Sequence, residues 1–468
     1  MSEFLKNCRQ AIGADYVTTD TKGMTAFLTD ERKRFTGKAL AVLRPGNTQE
    51  VADIVQLCKQ YHVPIVPQGG NTGLVFGSTP DESGKAVVLS LNRLNRIRSI
   101  DPANNTMIVE AGCILQNVHE AAEKVGRLYP LRLASEGTAT IGGSLAANAG
   151  GTAVLRYGNA RELCLGLEVV TAQGEIWNNL RGLRKDNSGY DLRNLFIGSE
   201  GTLGIITAAV LKLFPLPNAT VTAIVAIASP KEALQLLSKA QARCDTALTA
   251  FEIMSNFSLQ LVTKHFPQVT PPLPLTSPQY ALIELSSGDS EEHLMTMLES
   301  VMGDALEENI VLDAALASSL AQAKTIWQLR EHISVAQAME GNNIKHDISI
   351  PVSQIPAFIA QTDKLLQAYF PKCRQVTFGH MGDGNLHYNV SAPEGESPYD
   401  FLALQPEINR VVYDSVNQFG GSIAAEHGVG TLKKDEIRHY LPEVEIRMMQ
   451  TVKRALDPDN LMNPGKII

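Results

Sequence analysis

Two histidines flank a tight polar turn in VTFGHMGDGNLHYNV (376–390), and imidazoles held close together are metal chemistry or proton chemistry. Asp383-Gly384 between alternating residues predicts a two-residue hairpin turn. Counting outward from it sets His380 opposite His387, with Cβ atoms about 4.5–5.5 Å apart on one sheet face. Asn385 and Asn389 project from the same face as His387. Two imidazoles so placed can share one metal ion, and Glu426 in AAEHGVG (424–430) offers a third ligand. A His/His/Glu set leaves coordination positions open, as catalytic zinc sites do, and it also suits manganese or iron(II). The same spacing equally describes a hairpin whose histidines are partly buried polar residues in ordinary roles.

A second group lies on the apparent helix 316–340. Arg330 and Ser334 are spaced to share a helical face, and Lys345 follows beyond Gly341. The planar guanidinium is the natural partner of a carboxylate, with lysine as a second point charge. Alternatively this is a solvated helix face.

Glycine-rich segments form the third group. PQGGNTGLVFGS (67–78) gathers Gly69, Gly70, Gly73 and Gly77 into one loop, where bare backbone N–H groups can approach an anion. Its spacing is not that of a Rossmann turn, and a tight turn accounts for it equally well. ATIGGSLAANAGG (139–151) and GSEGTLGIIT (198–207) repeat the pattern. Three such loops suit a long cofactor with phosphates and a flat ring lying against backbone.

The elements that must position these residues fall into three stretches. Strands are expected over 39–45, 63–67, 86–91 and 107–112, with a helix over 47–61 capped by Thr48. That alternation argues for an α/β layer with some parallel pairing, extended by strands within 165–177 and 202–214. Phe214-Pro215-Leu216-Pro217 breaks the pattern and sets a boundary near 217. Beyond it, strand 221–228, helix 231–243, strand 280–286 and helix 291–302 suggest a ferredoxin-like α+β domain. The proline-rich stretch 266–278 is a loop. From about 405 the chain reads helical and ends in a turn-rich tail. The expected domains are therefore 1–217, 218–404 and 405–468.

Composition narrows the function classes. At 468 residues, 44% apolar and 19% charged, with Gly 36 and Pro 23, the chain is neither disordered nor collagen-like. Lys+Arg 41 against Asp+Glu 49 gives −8, which argues against nucleic acid as a partner. Six scattered cysteines without a Cys-x-x-Cys pair fit a reducing compartment. The N-terminus lacks a secretory apolar core and no stretch reads as a membrane helix, so a cytoplasmic protein without an integral membrane segment is expected.

PQGGNTGLVFGS, EGTATIGGSLAANAGG, RKDNSGYDLRNLFIGSEGTLGIIT, FGHMGDGNLHYNV, AAEHGVGTLKK and LDPDNLMNPGKI occur in this order from about residue 67 onward. Together they resemble the FAD-linked D-2-hydroxyacid dehydrogenases of the vanillyl-alcohol oxidase/para-cresol methylhydroxylase superfamily. The resemblance runs from about residue 37 to the C-terminus. It implies an α+β fold: a two-part FAD-binding domain of the para-cresol methylhydroxylase type, a ferredoxin-like substrate (cap) domain and a C-terminal helical segment.

It also implies roles. FAD pyrophosphate would lie on Gly69, Gly70, Asn71, Thr72 and Gly73, with Gln68 and Ser78 nearby. Gly137, Thr140, Gly142, Gly143, Asn148 and Gly151 would border the isoalloxazine and its linker. Glu200, Gly201 and Ile206 would line the adenine side, and Asn463 would return the tail to the cofactor. Asn71 and Thr72 stand where covalent members often carry histidine, so non-covalent FAD is implied. His380, His387 and Glu426 match metal ligands, zinc first and manganese as the alternative. Arg330, Ser334 (commonly threonine), Lys345 and Asn389 match substrate contacts, and His427 the general base. The implied reaction is metal-assisted oxidation of a D-2-hydroxy acid, D-2-hydroxyglutarate first, with a D-lactate-, glycolate- or D-malate-type dehydrogenase, or a catalytic subunit of such a complex, as the alternative. The implied electron acceptor is an electron-transfer flavoprotein or a quinone. A homodimer is the expected assembly on base rates.

Overall fold

Short β-branched runs punctuated by Gly and Pro build the first of two units. The computed structural model describes residues 2–468, divided into one unit of 2–150, 158–216 and 427–468 and another of 151–157 and 217–426.

In the first unit, β1 (Val17–Thr18), β2 (Val42–Leu43), β3 (Ile65–Gln68) and β4 (Val87–Ser90) form a sheet in the order β1-β2-β4-β3. β2 and β3 run parallel to β4, and β1 is antiparallel to β2. Helix α1 (Thr48–Tyr61) makes the crossover from β2 to β3, burying Val51, Ile54, Val55 and Cys58 along one face. Its N-cap is Asn47, not Thr48: the Asn47 side chain accepts from the Glu50 amide. Thr48 is already helical, and its hydroxyl donates instead to buried Glu168 at 2.6 Å.

The second sheet of this unit contains β5 (Ile97–Asp101), β6 (Thr106–Glu110), β7 (Cys164–Thr171), β8 (Ile176–Asn179) and β9 (Gly204–Lys212). Its order is β5-β6-β9-β7-β8, antiparallel throughout. A short helix, α2 (Ile141–Ala147), carries the second glycine-rich segment.

The second unit begins with β10 (Ala219–Ile227), α3 (Pro230–Cys244), β11 (Leu248–Ser255), β12 (Gln279–Ser287), α4 (Glu291–Glu307) and β13 (Val311–Leu316). These four strands pair antiparallel in the order β13-β10-β12-β11, the split βαβ arrangement of a ferredoxin-like layer. Ser229 and Ser290 cap α3 and α4 with their side chains, and Pro230 occupies the first turn where its missing N–H costs nothing.

The sheet then grows past the ferredoxin-like core. β16 (Arg374–His380) pairs with β11, and β17 (Asn385–Ser391) follows it. Outside these, β14 (Asn343–Ile344) and β15 (Asp347–Ser349) both pair with β17.

Two expectations are corrected here. The helix expected over 316–340 is two helices, α5 (Leu320–Glu331) and α6 (Ile333–Met339), preceded by β13. Ser319 caps α5 from its side chain, and the chain breaks at His332, whose ring stacks on Phe266 with centroids 4.4 Å apart. The return expected at 405 comes at His427. Helix α8 (Gln405–Gln418) stays in the second unit beside α7 (Ile355–Tyr369), joined by a buried Thr362–Ser415 hydroxyl pair at 2.6 Å. Gly151–Tyr157 also belongs to the second unit, where Arg156 donates to the Ser286 side chain at 2.7 Å. Among the described residues all six cysteines are free and buried, and no helix is long and apolar enough to cross a membrane.

Candidate active site

The hairpin differs from its expected register. β16 and β17 pair Phe378, not His380, with His387, and the chain turns over Met381–Gly384. His380 instead pairs with Glu252 on β11, while its carbonyl accepts from the Asp383 and Gly384 amides. Gly379 permits this closeness, since a Cβ there would sit 2.4 Å from the Asn385 carbonyl oxygen. A shift of two residues is one full strand period, so both histidines keep the same face. Their ring centroids lie 5.8 Å apart.

Glu426 closes the group. His380 Nε2 lies 3.7 Å from Glu426 Oε1, and His387 Nε2 lies 3.9 Å from Oε2. One ligand atom from each residue falls within 4.8 Å of the others. Behind each imidazole stands a further carboxylate. Glu252 Oε1 meets His380 Nδ1 at 2.5 Å, and Asp347 Oδ1 lies 3.9 Å from His387 Nδ1. Asp347 also accepts from the Glu426 amide and from the Asn385 side chain, each at 2.9 Å. A carboxylate on Nδ1 fixes the tautomer that leaves Nε2 free for a metal. The donor set of two imidazole nitrogens and one carboxylate therefore fits a divalent ion such as zinc.

The electrostatics are those of a crowded buried cluster. Burial alone would raise the Glu252 carboxyl, but His380 and Arg330 outweigh it and hold it down to about 2. Burial alone would lower His380, and Glu252 lifts it to about 9 instead. Burial pushes Glu426 up to about 7, opposed by His380 and reinforced by Asp347 and Asp383.

Arg330 joins this cluster through Glu252. It is 8% exposed, its Nε donates to Glu252 Oε2 at 2.6 Å, and its guanidinium lies 4.8 Å from the Phe378 ring centroid. Ser334 is exposed on α6, past the break at His332, and Lys345 is half-buried between β14 and β15. Asn389 is buried, accepting from the His346 amide at 3.1 Å and donating to Gln337 at 2.9 Å. Its amide thus braces neighbouring backbone, with one N–H left for another partner. His427, half-buried, follows Glu426 directly and opens the last stretch of the first unit. Glu252 and Asp347 escaped the sequence reading. A lone acid inside the apolar run TAFEIM was the available signal for Glu252.

The glycine loops of the first unit form a cradle. No backbone N–H from Gly69 to Ser78 donates a backbone hydrogen bond among the described residues. The loop is held by side chains instead: Gln68 donates to the Phe27 and Ser78 carbonyls, and Asn71 accepts from the Ser78 hydroxyl. Gly69 and Gly70 press against the second loop, where Cβ atoms would lie 2.3 Å from Thr140 Oγ1 and 2.0 Å from the Thr138 carbonyl. Gly142 likewise packs on Ala111, whereas Gly137 is exposed and a Cβ at Gly73 would meet only Ser78 Oγ, at 3.9 Å. Thr72 and Gly143 border the same loops, half-buried and exposed respectively.

The tail reaches this cradle. Asn463 donates to the Gly77 and Glu200 carbonyls at 2.9 and 2.7 Å. Thr140 Oγ1, Ser144 Oγ and Asn463 Oδ1 are buried without a hydrogen-bond partner. Unused amides beside orphaned hydroxyl and amide oxygens fit a polyanionic, hydrogen-bonding cofactor such as FAD. Other expected contacts have different work. The Glu200 carboxylate accepts from the Val429 and Gly430 amides at 2.7 and 2.9 Å, and Gly201 packs on Pro67. Ile206 is a core residue of β9, Asn148 accepts from the Arg161 amide, and Gly151 lies in the second unit.

An FAD-type cradle in one unit and a ferredoxin-like layer carrying a metal-ligand cluster in the other define a class of flavin oxidoreductase. The FAD binding domain model matches residues 39–179, and the model for FAD linked oxidases, C-terminal domain, matches 216–467. The chain belongs to this FAD-linked oxidase family. It is 38% identical over 459 residues to a D-2-hydroxyglutarate dehydrogenase of Xanthomonas citri pv. viticola, covering 98% of this chain and 95% of the relative. To the mitochondrial D-2-hydroxyglutarate dehydrogenase of Rattus norvegicus it is 37% identical, covering 97% and 82%. A putative mitochondrial D-lactate dehydrogenase of Schizosaccharomyces pombe is 36% identical, covering 96% and 86%. Among solved structures, p-cresol methylhydroxylase with substrate bound superposes with a TM-score of 0.78 at 17% identity, covering 100% and 96%, and establishes the α+β fold.

Proposed function

We propose that this protein oxidises a D-2-hydroxy acid, D-2-hydroxyglutarate by preference, to the corresponding 2-oxo acid. One observation carries the reading. His380 Nε2, His387 Nε2 and the Glu426 carboxylate converge beside an arginine whose guanidinium is held by the carboxylate that also holds His380. Relatives named D-2-hydroxyglutarate dehydrogenase, similar over nearly the whole chain, support the choice of substrate.

His380, His387 and Glu426 would hold a divalent metal, zinc by preference, which would supply Lewis acidity toward the C2 hydroxyl. Non-covalent FAD in the Gly69–Ser78 cradle supplies the hydride acceptor. This chain's residues do the rest. The Arg330 terminal nitrogens receive a substrate carboxylate, and Lys345 a second one, which favours a dicarboxylate. Asn389 braces the strand that carries His387, and Ser334 would add a hydroxyl contact to the substrate. An imidazole nitrogen of His427, one peptide bond from Glu426, accepts the C2 hydroxyl proton. Electrons taken up by the bound cofactor would pass on to an electron-transfer flavoprotein or a quinone. Six buried thiols suit a reducing compartment such as the cytoplasm.

A panel of D-2-hydroxy acids with an artificial electron acceptor, run with zinc, with manganese and after chelation, tests this reading. Metal-dependent turnover highest for D-2-hydroxyglutarate is the expected result. Turnover of none of the acids, or full turnover after chelation, contradicts it.

A further inference from the structure

We infer that Glu252 is a positioning residue that couples the substrate-carboxylate clamp to the metal-ligand set. Its carboxylate is completely buried on β11, in the middle of the eight-stranded sheet. One oxygen accepts from Arg330 Nε at 2.6 Å, and the other meets His380 Nδ1 at 2.5 Å. Backbone pairing of Glu252 with His380 fixes the second contact. The Phe378 ring beneath the guanidinium, 4.8 Å away, fixes the plane of the first.

Both neighbours approach this carboxylate with N–H groups, so it must accept on both sides. An ionised carboxylate does so. A carboxamide of the same shape cannot. If its NH2 faces His380, Nδ1 becomes the acceptor and the proton moves to Nε2, the atom aimed at Glu426. If its NH2 faces Arg330, two N–H donors collide. The coupling is particular to Glu252. Asp347 stands behind His387 and accepts from the Glu426 amide and the Asn385 side chain, whereas Glu252 accepts from Arg330 Nε. Glu252 is therefore where orientation of the clamp and affinity for the metal become one property.

The inference rests on the metal reading above, and the experiment separates the two. Holoenzyme of wild type, E252Q, D347N and H380A is titrated with zinc alone and, separately after chelation, with glutarate, a dicarboxylate without a hydroxyl to chelate. Compared at pH 9, where protons compete least for the ligands, E252Q is expected to weaken zinc by about 10- to 100-fold, the usual loss when a partner behind a metal ligand is removed. It also weakens glutarate by about tenfold, as expected for a misaligned charge-assisted pair. D347N weakens zinc but leaves glutarate within about twofold, because Asp347 serves His387 and the Glu426 amide while Glu252 holds Arg330. With zinc saturating, E252Q raises KM for D-2-hydroxyglutarate by the factor seen with glutarate, and D347N does not. Should E252Q fail to fold, E252D, too short to span both neighbours, is read by the same titrations. Unchanged affinity for either probe in E252Q, or equal loss of glutarate in D347N, overturns the inference. Zinc bound by wild type and E252Q alike but lost in H380A overturns this inference alone, whereas no zinc in wild type overturns the metal reading with it.

Discussion

Changing pH across the range where His380 titrates perturbs metal binding by a predictable amount. Burial would depress this imidazole, but Glu252 at 2.5 Å lifts it to about 9. At pH 7 the ring therefore keeps its proton in all but about one molecule in a hundred, and zinc must displace it. The apparent zinc affinity should lie about 100-fold below its alkaline limit and rise about tenfold per pH unit between 7 and 9. Burial pushes Glu426 up to about 7, so a second proton competes at lower pH and the slope steepens toward two. Competition against a chelator of known protonation, from pH 6 to 9 at fixed ionic strength, measures the slope. Calorimetry in buffers of different ionisation heat counts the protons released, near one at pH 8 and approaching two at pH 6. An affinity flat between pH 7 and 9, with no proton released, would refute the assignment of His380 as a ligand braced by Glu252.

Three further outcomes follow from the same geometry. In metal-free protein, the raised His380 value contributes stability that is complete below its unfolded value near 6.5 and is lost as pH rises through about 9. The difference amounts to about 3 kcal/mol, so the metal-free melting temperature should fall between pH 7 and 9 and the zinc-loaded one should not. Differential scanning calorimetry reads both, and parallel curves would count against the pair. Gly70→Ala would place a Cβ 2.0 Å from the Thr138 carbonyl, so the purified variant should lose most of its flavin, measured as flavin absorbance per protein. Full flavin content would mean the two loops do not interlock as described. Lys345→Ala should impair oxidation of D-2-hydroxyglutarate by about tenfold or more while sparing D-lactate. Equal losses on both acids would remove Lys345 from dicarboxylate recognition.

Local signals made the scaffold legible and long-range pairing hid the rest. Alternating apolar runs and glycine punctuation located β3, β4, β6, β9, β10 and β12 within a residue or two, because strands buried on both faces read as continuous apolar segments. Strand-helix alternation points to the ferredoxin-like type of the second unit, but not to β11 or β13, which complete its order. The hairpin register was not legible. Turn chemistry at Asp383-Gly384 predicted a two-residue loop, but pairing of His380 with Glu252, 128 residues away in sequence, pulled β16 off β17 early. Face survived because the slip was even. The same distance concealed Glu252: nothing near it in sequence reveals that its carboxylate meets an arginine and an imidazole. At the helix break the His332 ring stacks on Phe266, 66 residues earlier, a contact no periodicity reports. The cap is Asn47 rather than the expected Thr48, because the Thr48 hydroxyl serves the buried Glu168 carboxylate instead.

The most direct measurement is anaerobic mixing of the flavin-loaded enzyme with D-2-hydroxyglutarate, followed at the flavin absorbance band with and without prior chelation. The band should disappear rapidly in the metal-loaded enzyme, change little after chelation, and respond again when zinc is restored. A band that bleaches equally without metal, or stays intact with metal present, would contradict the claim that His380, His387 and Glu426 gather the ion on which substrate oxidation depends.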